Sequence, residues 1–232
     1  MPCHNEEGNI PRYANELLPA LDALGEPYEV LIVDDGSTDG TAPAARAFAD
    51  GRPAVRVLSL ALNQGLGAAL RAGFAAANGE WIATLDADLT FRPSTLKDML
   101  ALARAENADL VAGSPYLREG DMATISWRRR LPSLMLNALY RGLFGMRLTA
   151  YTPVFRLYRA PRLRSLSSEL SAEGFEINAE IAALAALGDW RVAEVPAALE
   201  TRTSGVSKLR RGRELARHAS LIARLLFRGP AR

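Results

Sequence analysis

The stretch VLIVDDGSTDGT, residues 30–41, changes from apolar to acidic in its middle. A short run rich in β-branched residues is typical of a buried strand, and Asp, Gly, Ser and Thr are common in turns and at helix starts. A second junction of this kind is TLDADLT, residues 84–90, in which Asp86 and Asp88 are separated by one residue. The sequence therefore predicts two pairs of carboxylates, each at the end of a strand.

Short apolar runs alternate with helical patterns along the first half of the chain. Such alternation predicts an α/β fold with a mostly parallel central sheet and helices on both faces. Ligands of these sheets bind past the carboxyl ends of the strands, so we expect Asp34, Asp35, Asp86 and Asp88 to converge on one edge. The predicted strands are residues 28–35, 55–62, 80–88 and 108–116, and the predicted helices are Asn9–Leu24, Thr41–Asp50, Gly67–Ala77 and Pro93–Glu106.

Composition limits the class of protein. The 232 residues are 49% hydrophobic and 23% charged, which is enough to bury a full core and predicts one domain, at most with an appendage. The net charge of +2 gives no general reason to expect nucleic acid as a partner. Cys3 is the single cysteine, so no internal disulfide is expected, and the sequence shows neither a signal peptide nor the roughly 20 apolar residues of a membrane span. We expect a cytoplasmic protein.

The spacing of the second carboxylate pair matches a phosphatase motif. Haloacid-dehalogenase-type phosphatases carry D-x-D-x-T after a strand, which would make Asp86 a nucleophile and Asp88 a general acid. In that family the motif lies near the start of the core and the paired acids come later, whereas here Asp34 and Asp35 come first. The order of the motifs argues against a phosphatase.

Two nucleotide-binding hypotheses also fit the first half. NQGLGAAL, residues 63–70, resembles the glycine fingerprint of dinucleotide-binding folds, but its third glycine position is Leu70. Gly67 more simply lets a helix start close to the sheet, with its free N–H groups facing the site. The other hypothesis is a nucleotide diphosphate bound through a metal. Mg²⁺ or Mn²⁺ bridges diphosphate oxygens to one or two carboxylates, and Asp86 and Asp88 suit that role.

Six stretches of the chain carry a family resemblance when they are taken together. They are PCHNEEGNI (2–10), VDDGSTDGT (33–41), NQGLGAALRAGF (63–74), DADL (86–89), EGFEINAEIAALAALG (173–188) and EVPAALETRTSGVSK (194–208). In this order and spacing they resemble the inverting family 2 glycosyltransferases, which have the GT-A fold, and among them the polyprenyl-phosphate sugar synthases such as dolichyl-phosphate mannose or glucose synthases. The resemblance implies transfer of a sugar from a GDP- or UDP-linked donor to a polyprenyl or dolichyl phosphate, with inversion.

The resemblance also implies a role for the acidic motifs. The donor nucleotide would lie against Pro2, His4, Glu6, Asp34, Asp35 and Asp86. Asp88 would be the principal ligand of Mg²⁺ or Mn²⁺, with Asp86 as a second ligand. An ion held there would neutralise the departing diphosphate.

The acceptor site is expected to be basic. A lipid phosphate is ionised at pH 7, so its transfer needs positioning and charge neutralisation more than a general base. Arg202 and Lys208 frame the family's R-x-x-G-x-S-K loop, which closes over the substrates, and the resemblance assigns both to catalysis. The implied acceptor ligands are Arg118, Arg128, Arg129 and Ser207. If the acceptor were a hydroxyl, Glu176 or Glu180 would be the candidate base; the alternative is that both are surface acids on one helical face.

The chain departs from the family pattern at four places. Relatives read G-S-R-Y where residues 113–116 read GSPY, so an arginine that binds the acceptor is missing unless Arg118 replaces it. Relatives also read D-x-T-S-G-F-R where residues 150–156 read AYTPVFR. Thr90 stands where relatives often place a glutamine ligand. Relatives also have a strand before the P-x-x-N-E motif, and Met1 here stands directly before it, so we expect a missing strand and a slot in the sheet, or a start further upstream. A glycolipid or saccharide hydroxyl acceptor, or a non-catalytic nucleotide-sugar-binding module, remains an alternative.

Basic and apolar residues in the second half predict contact with a membrane surface. We divide the chain into a glycosyltransferase domain, residues 1–207, and a basic amphipathic tail, residues 208–232, in which seven arginines accompany the single acid Glu214. The tail and the Leu- and Met-rich segment Leu131–Leu148 would lie on an anionic bilayer at its cytoplasmic face. A small membrane partner protein, or a core helix with a solvated tail, would also explain them.

Overall fold

The computed structural model describes residues 1–118, 127–145, 148–200 and 211–227, with side chains for all of these except residues 127–129, 211 and 213. The strands are β1 (Pro2–Cys3), β2 (Val30–Asp35), β3 (Val55–Leu60), β4 (Trp81–Thr84), β5 (Leu110–Ser114), β6 (Arg156–Arg159) and β7 (Val192–Pro196). The helices are α1 (Leu17–Asp22), α2 (Thr41–Ala49), α3 (Leu66–Ala76), α4 (Leu96–Ala105), α5 (Trp127–Phe144), α6 (Ala160–Ser165), α7 (Ile177–Leu187) and α8 (Arg211–Phe227), with short 3₁₀ turns at Ile10–Ala14 and Pro93–Thr95.

The strands form two neighbouring sheets. β1, β2 and β3 are parallel, and Pro2 of β1 pairs with Val33 of β2. The second sheet has the order β4-β6-β5-β7, in which β6 is antiparallel to both neighbours and β5 is parallel to β7. The α/β class and the four predicted strands are confirmed. β6 and β7 are absent from the sequence prediction, and β6 interrupts the parallel arrangement between β4 and β5.

The helix predicted over Asn9–Leu24 is wrong in its continuity. The chain forms the 3₁₀ turn Ile10–Ala14, passes through Asn15 and Glu16, and only then enters α1. Pro19 explains the break, because it has no N–H to donate to the carbonyl four residues earlier at Asn15. The predictions for α2, α3 and α4 are confirmed to within three residues at each end.

β1 covers only part of the edge of β2. Val33 donates its N–H to the carbonyl of Met1 at 2.8 Å, and the ladder continues through Cys3. Next to Met1, a cavity of about 570 Å³ lies between β2 and β4 and is also lined by α1, α3 and α4. From the sequence we expect a missing strand and a slot in the sheet; the structure has the two-residue strand β1 paired with β2, and the cavity lies beside it.

Helices α5, α7 and α8 pack into one apolar cluster on the second sheet. Leu221 and Leu225 of α8 and Tyr140 of α5 are buried there. His218 is buried as well, and its Nδ1 lies 2.8 Å from the hydroxyl oxygen of Tyr140. Among the described residues, no helix has the length and apolar character needed to cross a bilayer. The proposed boundary between residues 207 and 208 lies outside the described residues.

Candidate active site

The first carboxylate pair, Asp34 and Asp35, forms the last two residues of β2. Asp34 and Asp35 are both buried. The two carboxylate oxygens of Asp35 accept the N–H groups of Gln64 and Gly65, each at 2.8 Å, so this side chain fixes the turn that connects β3 to α3. Asp34 Oδ1 accepts the N–H of Ser37 at 3.1 Å, which closes the turn after β2. Both acids therefore shape backbone at the edge of the sheet.

The segment after β1 interlocks with the turn after β2. His4 Nδ1 lies 2.9 Å from the carbonyl oxygen of Asp35. Asn5 adopts a positive φ of 52°, and its side-chain oxygen accepts the N–H of Thr38 at 2.8 Å. Glu6 donates its N–H to Thr41 Oγ1 at 2.7 Å. The structure thus brings the residues of both segments that are predicted to bind the donor nucleotide close to one another.

The second carboxylate pair lies in a tight turn after β4. Leu89, at φ 51°, donates its N–H to the carbonyl of Asp86 at 3.1 Å. Asp88 is 3% exposed, and its Oδ1 accepts the N–H of Thr90 at 3.1 Å. Because left-handed backbone is strained for leucine, neighbouring groups must hold this turn in place.

Two side chains of the 3₁₀ turn hold the Asp86–Asp88 segment from outside. The hydroxyl of the buried Tyr13 donates to the carbonyl of Ala87 at 2.9 Å, and Arg12 Nη1 donates to the carbonyl of Asp88 at 2.7 Å. Sequence reasoning missed both residues, since nothing in PRY at 11–13 points to a partner more than 70 positions away. They are positioning residues for the second carboxylate pair.

Electrostatics connects the two carboxylate pairs through β1 and Tyr13. Burial raises the pKa of the Cys3 thiol to about 11, and the charges of Glu6 and Asp34 contribute to the rise. Burial also raises the pKa of the Tyr13 phenol, with contributions from Cys3, Glu6 and Asp88. Cys3 Sγ and the Tyr13 hydroxyl lie 3.7 Å apart, so the surroundings of the two pairs meet at this contact.

The carboxylates fit a hard divalent cation that shares its coordination with a ligand. Among the described residues there is no group of three or more His, Cys, Asp or Glu side chains arranged to hold a metal ion. A site with one or two carboxylates is the type that binds Mg²⁺ or Mn²⁺ together with waters and phosphate oxygens. Asp88, with Asp86 in the same turn, supplies such a set of donors.

Comparison with known proteins identifies the family. The family model described as glycosyl transferase family 2 matches residues 1–166. The chain belongs to glycosyl transferase family 2. Membership of this family rejects the phosphatase and dinucleotide hypotheses.

Two curated relatives of this family 2 chain carry the same name, undecaprenyl-phosphate 4-deoxy-4-formamido-L-arabinose transferase. The protein from Shewanella sediminis is 35% identical over 161 residues, which is 68% of this chain and 46% of the relative. The protein from Edwardsiella ictaluri is 31% identical over 168 residues, which is 72% of this chain and 50% of the relative. The chain therefore spans about half the length of the curated relatives it matches.

Solved structures share the fold of this family 2 chain. Glucosyl-3-phosphoglycerate synthase from Mycobacterium tuberculosis, in complex with Mn²⁺ and uridine-diphosphate-glucose, has a TM-score of 0.64 at 23% identity over 98% of this chain and 76% of that chain. S. aureus TarS in complex with UDP-GlcNAc has a TM-score of 0.63 at 20% identity over 100% of this chain and 66% of that chain. The predicted GT-A fold is confirmed.

The role expected for Gly67 is wrong in one respect. Its N–H does not face the site freely but donates to the carbonyl of Glu173 at 2.7 Å. A Cβ at Gly67 would collide with the carbonyl oxygen of Ala172, so the glycine permits the 172–173 backbone to approach the start of α3. Gly65, at φ 93°, would collide with the carbonyl of Glu173 in the same way. Both glycines therefore lie where the start of α3 contacts the backbone of residues 172–173.

The alternative of surface positions for Glu176 and Glu180 is wrong, because both carboxylates are buried. Glu180 accepts the N–H groups of Ser171 at 3.1 Å and Ala172 at 2.9 Å. Glu176 Oε1 accepts the N–H groups of Glu173 and Gly174, both at 3.1 Å. In both cases the hydrogen bonds run to the loop of residues 171–174. The two acids therefore fix that loop at the start of α7.

Only some of the residues predicted to bind the acceptor substrate or to act in catalysis lie in the described part of the chain. Arg118 is exposed and follows β5. Arg128 and Arg129 lie in α5, but their side chains are not among those described, and Arg202, Ser207 and Lys208 lie outside the described residues. At the end of β5, Ser114 Oγ lies 2.6 Å from Thr149 Oγ1. Glu194 accepts the N–H of Thr149 at 2.8 Å, and burial raises the pKa of the Glu194 carboxyl.

Arg156, in the region that departs from the family pattern, is fully buried. It donates to the carbonyl oxygens of Tyr151 and Asn178, each at 2.6 Å. The guanidinium therefore ties the start of β6 to α7 inside the protein.

Proposed function

We propose that this family 2 chain transfers a sugar from a UDP- or GDP-linked donor to a polyprenyl phosphate, with inversion at the sugar and with a divalent metal. The observation that carries the proposal is the Asp86–Asp88 turn, which Tyr13 and Arg12 hold in place while Tyr13 also contacts Cys3, the residue paired with Asp34. The names of the curated relatives support a lipid-phosphate acceptor, and the solved structures with Mn²⁺ and UDP-sugars support the donor class and the metal.

In this proposal the carboxylates divide the work on the donor. Asp88, with Asp86 as a second ligand, would hold Mg²⁺ or Mn²⁺, which when bound would neutralise the departing diphosphate. Pro2, His4, Glu6, Asp34 and Asp35 would receive the base and ribose. Asp35 would do so while its carboxylate also holds the N–H groups of Gln64 and Gly65, so that it would shape the turn beside the nucleotide as well.

The acceptor side relies on fixed positive charge. A lipid phosphate attacks without first losing a proton, so cations that hold it in line with the sugar are enough. We assign this task to Arg118, Arg128, Arg129 and Ser207, and the closing of the loop over both substrates to Arg202 and Lys208. Pro115, in place of the arginine found in relatives, favours a hydroxyl acceptor on a glycolipid or saccharide as the second candidate.

Contact with an anionic bilayer would bring the lipid acceptor to the site. Leu131, Met135, Leu139 and Leu143 follow one another at intervals of four on α5 and are all exposed. At the end of α8, Phe227 is 90% exposed and belongs to a helix rich in arginine. An apolar stripe beside basic residues suits the headgroup region of a bilayer. We propose peripheral binding at the cytoplasmic face of a membrane, directly or beside a small membrane protein.

A transfer assay tests the proposed function. The purified chain is incubated with radiolabelled UDP- and GDP-sugars, Mn²⁺ and undecaprenyl phosphate in detergent, and the organic phase is assayed for labelled lipid. We expect a labelled product with one donor, complete loss of it in Asp88→Ala, and full activity in the exposed control Asp98→Asn. Product formed only from glycolipid or saccharide acceptors would favour the second candidate. Turnover that survives Asp88→Ala would contradict the site, and donor binding without transfer to any acceptor would favour a non-catalytic binding module.

A further inference from the structure

The carboxylate of Glu180 is fully buried in the first turn of α7 and connects three parts of the protein. It accepts the N–H groups of Ser171 and Ala172 at 3.1 and 2.9 Å, and Arg224 Nη2 of α8 donates to it at 2.7 Å. A buried carboxylate is costly unless it is paired and fully hydrogen-bonded. Arg224 therefore neutralises the charge that holds the loop of residues 171–174.

That loop lies directly against the start of α3. The carbonyl of Glu173 accepts the N–H of Gly67 at 2.7 Å, and the carbonyl of Ala172 accepts a hydrogen bond from Arg71. No space exists for a Cβ at Gly65 or Gly67, because each would collide with a carbonyl oxygen of this loop. The two backbones are in contact, so a shift of one requires a shift of the other.

The start of α3 in turn belongs to the proposed donor site. Asp35 holds the N–H groups of Gln64 and Gly65, and its own carbonyl oxygen lies 2.9 Å from His4 Nδ1. A continuous series of contacts thus runs from Arg224 through Glu180 and the 171–174 loop to the turn that Asp35 fixes. α8, at the far end of the chain, is joined in this way to residues of the donor edge.

The attachment of α8 does not depend on Arg224 alone. Leu221 and Leu225 are buried, and His218 contacts Tyr140. The Arg224 side chain is 39% exposed, so replacement by methionine removes its charge while keeping an apolar stem of similar reach on α8. The effect of this substitution can therefore be separated from loss of the helix.

We propose that Arg224 is a positioning residue for the donor site, acting through Glu180 and the 171–174 loop. The basic α8 then has an inward role in addition to any contact with lipid. Without Arg224, the carboxylate of Glu180 lacks its cation, the loop loosens, and the turn of residues 63–67 loses its support. For the proposed transferase reaction, on which this step of the inference rests, we expect the KM of the nucleotide sugar to rise about tenfold with kcat within about twofold, because coupling from outside a site is of this size.

Hydrogen exchange tests the link without any substrate. Exchange is measured by mass spectrometry on the wild type, Arg224→Met, Arg224→Lys and the matched control Arg104→Met, which removes an exposed ion pair with Glu26. We expect peptides covering residues 63–68 and 171–176 to exchange at least about fivefold faster in Arg224→Met, with partial rescue by Arg224→Lys and no change in Arg104→Met. Unchanged exchange at residues 63–68 would overturn the proposal.

Kinetics then separates this proposal from the proposed function. A wild type that transfers no sugar would contradict the proposed function, while the exchange data would still decide the role of Arg224. Equal donor KM values in an active wild type and Arg224→Met would overturn the positioning role alone. If Arg224→Met does not fold, the pair Glu180→Gln with Arg224→Met replaces it, because this pair leaves no uncompensated buried charge. Faster exchange is still expected, since a neutral amide holds the N–H groups of Ser171 and Ala172 less strongly than the paired carboxylate does.

Discussion

Replacing Tyr13 by phenylalanine should weaken both the fold and the proposed metal site. The ring is fully buried and would keep its edge contact with Phe48, so the change removes only the hydroxyl. That hydroxyl donates to the carbonyl of Ala87 at 2.9 Å inside the protein. A buried acceptor that loses its donor costs about 1–3 kcal/mol, which is the loss of unfolding free energy that we expect.

The same substitution should lower the affinity for a nucleotide diphosphate, because Ala87 lies between Asp86 and Asp88. Urea unfolding followed by tryptophan fluorescence gives the stability, and titration calorimetry with Mn²⁺ and nucleotide gives the affinity, for which we expect a loss of about fivefold. The control is Tyr28→Phe, whose hydroxyl bonds Asp22 at the surface and whose loss should cost under about 0.5 kcal/mol. Equal stability and affinity for Tyr13→Phe and wild type would refute the positioning role of Tyr13.

Three further outcomes follow from packing, protonation and exposure. Gly67→Ala should lower the unfolding free energy by about 1–3 kcal/mol, because the new Cβ meets the carbonyl of Ala172, whereas Gly142→Ala, in open space on α5, should not destabilise; urea unfolding of both would show it. Burial lowers the pKa of His218 in the folded protein, so below about pH 6.5 the unfolded chain takes up the proton more readily and the folded state loses stability. The midpoint of thermal unfolding should therefore fall more steeply with decreasing pH in wild type than in His218→Gln. Equal slopes for the two proteins would contradict this. Met135→Glu should reduce co-sedimentation with anionic vesicles while Met135→Leu retains it, and equal binding by both variants would exclude α5 from the membrane contact.

The sequence was informative wherever structure depends on neighbours in the chain. The strand of residues 30–35 and the turn after it follow from a short apolar run and from turn chemistry, both of which are local. That strand and its turn could be predicted without knowing any long-range contact. The rule for parallel strands does not by itself bring the two carboxylate pairs together, because β2 and β4 lie in different sheets, and it is Tyr13 that contacts both Cys3 and Ala87.

The parts that could not be predicted depend on contacts between distant residues. Tyr13 and Arg12 reach the Asp86–Asp88 turn across more than 70 positions, and Arg224 reaches Glu180 across 44. Four-residue spacing gives Glu176 and Glu180 a shared helical face but cannot say whether that face is buried. β6 is short, and its antiparallel place between β4 and β5 leaves no mark on the pattern of its four residues.

We propose that Asp88 and its turn form a metal-dependent site for a nucleotide diphosphate. The most direct measurement is titration calorimetry of the purified chain with UDP and with GDP, each with and without Mn²⁺, repeated on Asp88→Ala. We predict that one nucleotide binds wild type only when Mn²⁺ is present and that Asp88→Ala abolishes this binding. Binding that does not need Mn²⁺, or that persists unchanged in Asp88→Ala, would contradict the claim.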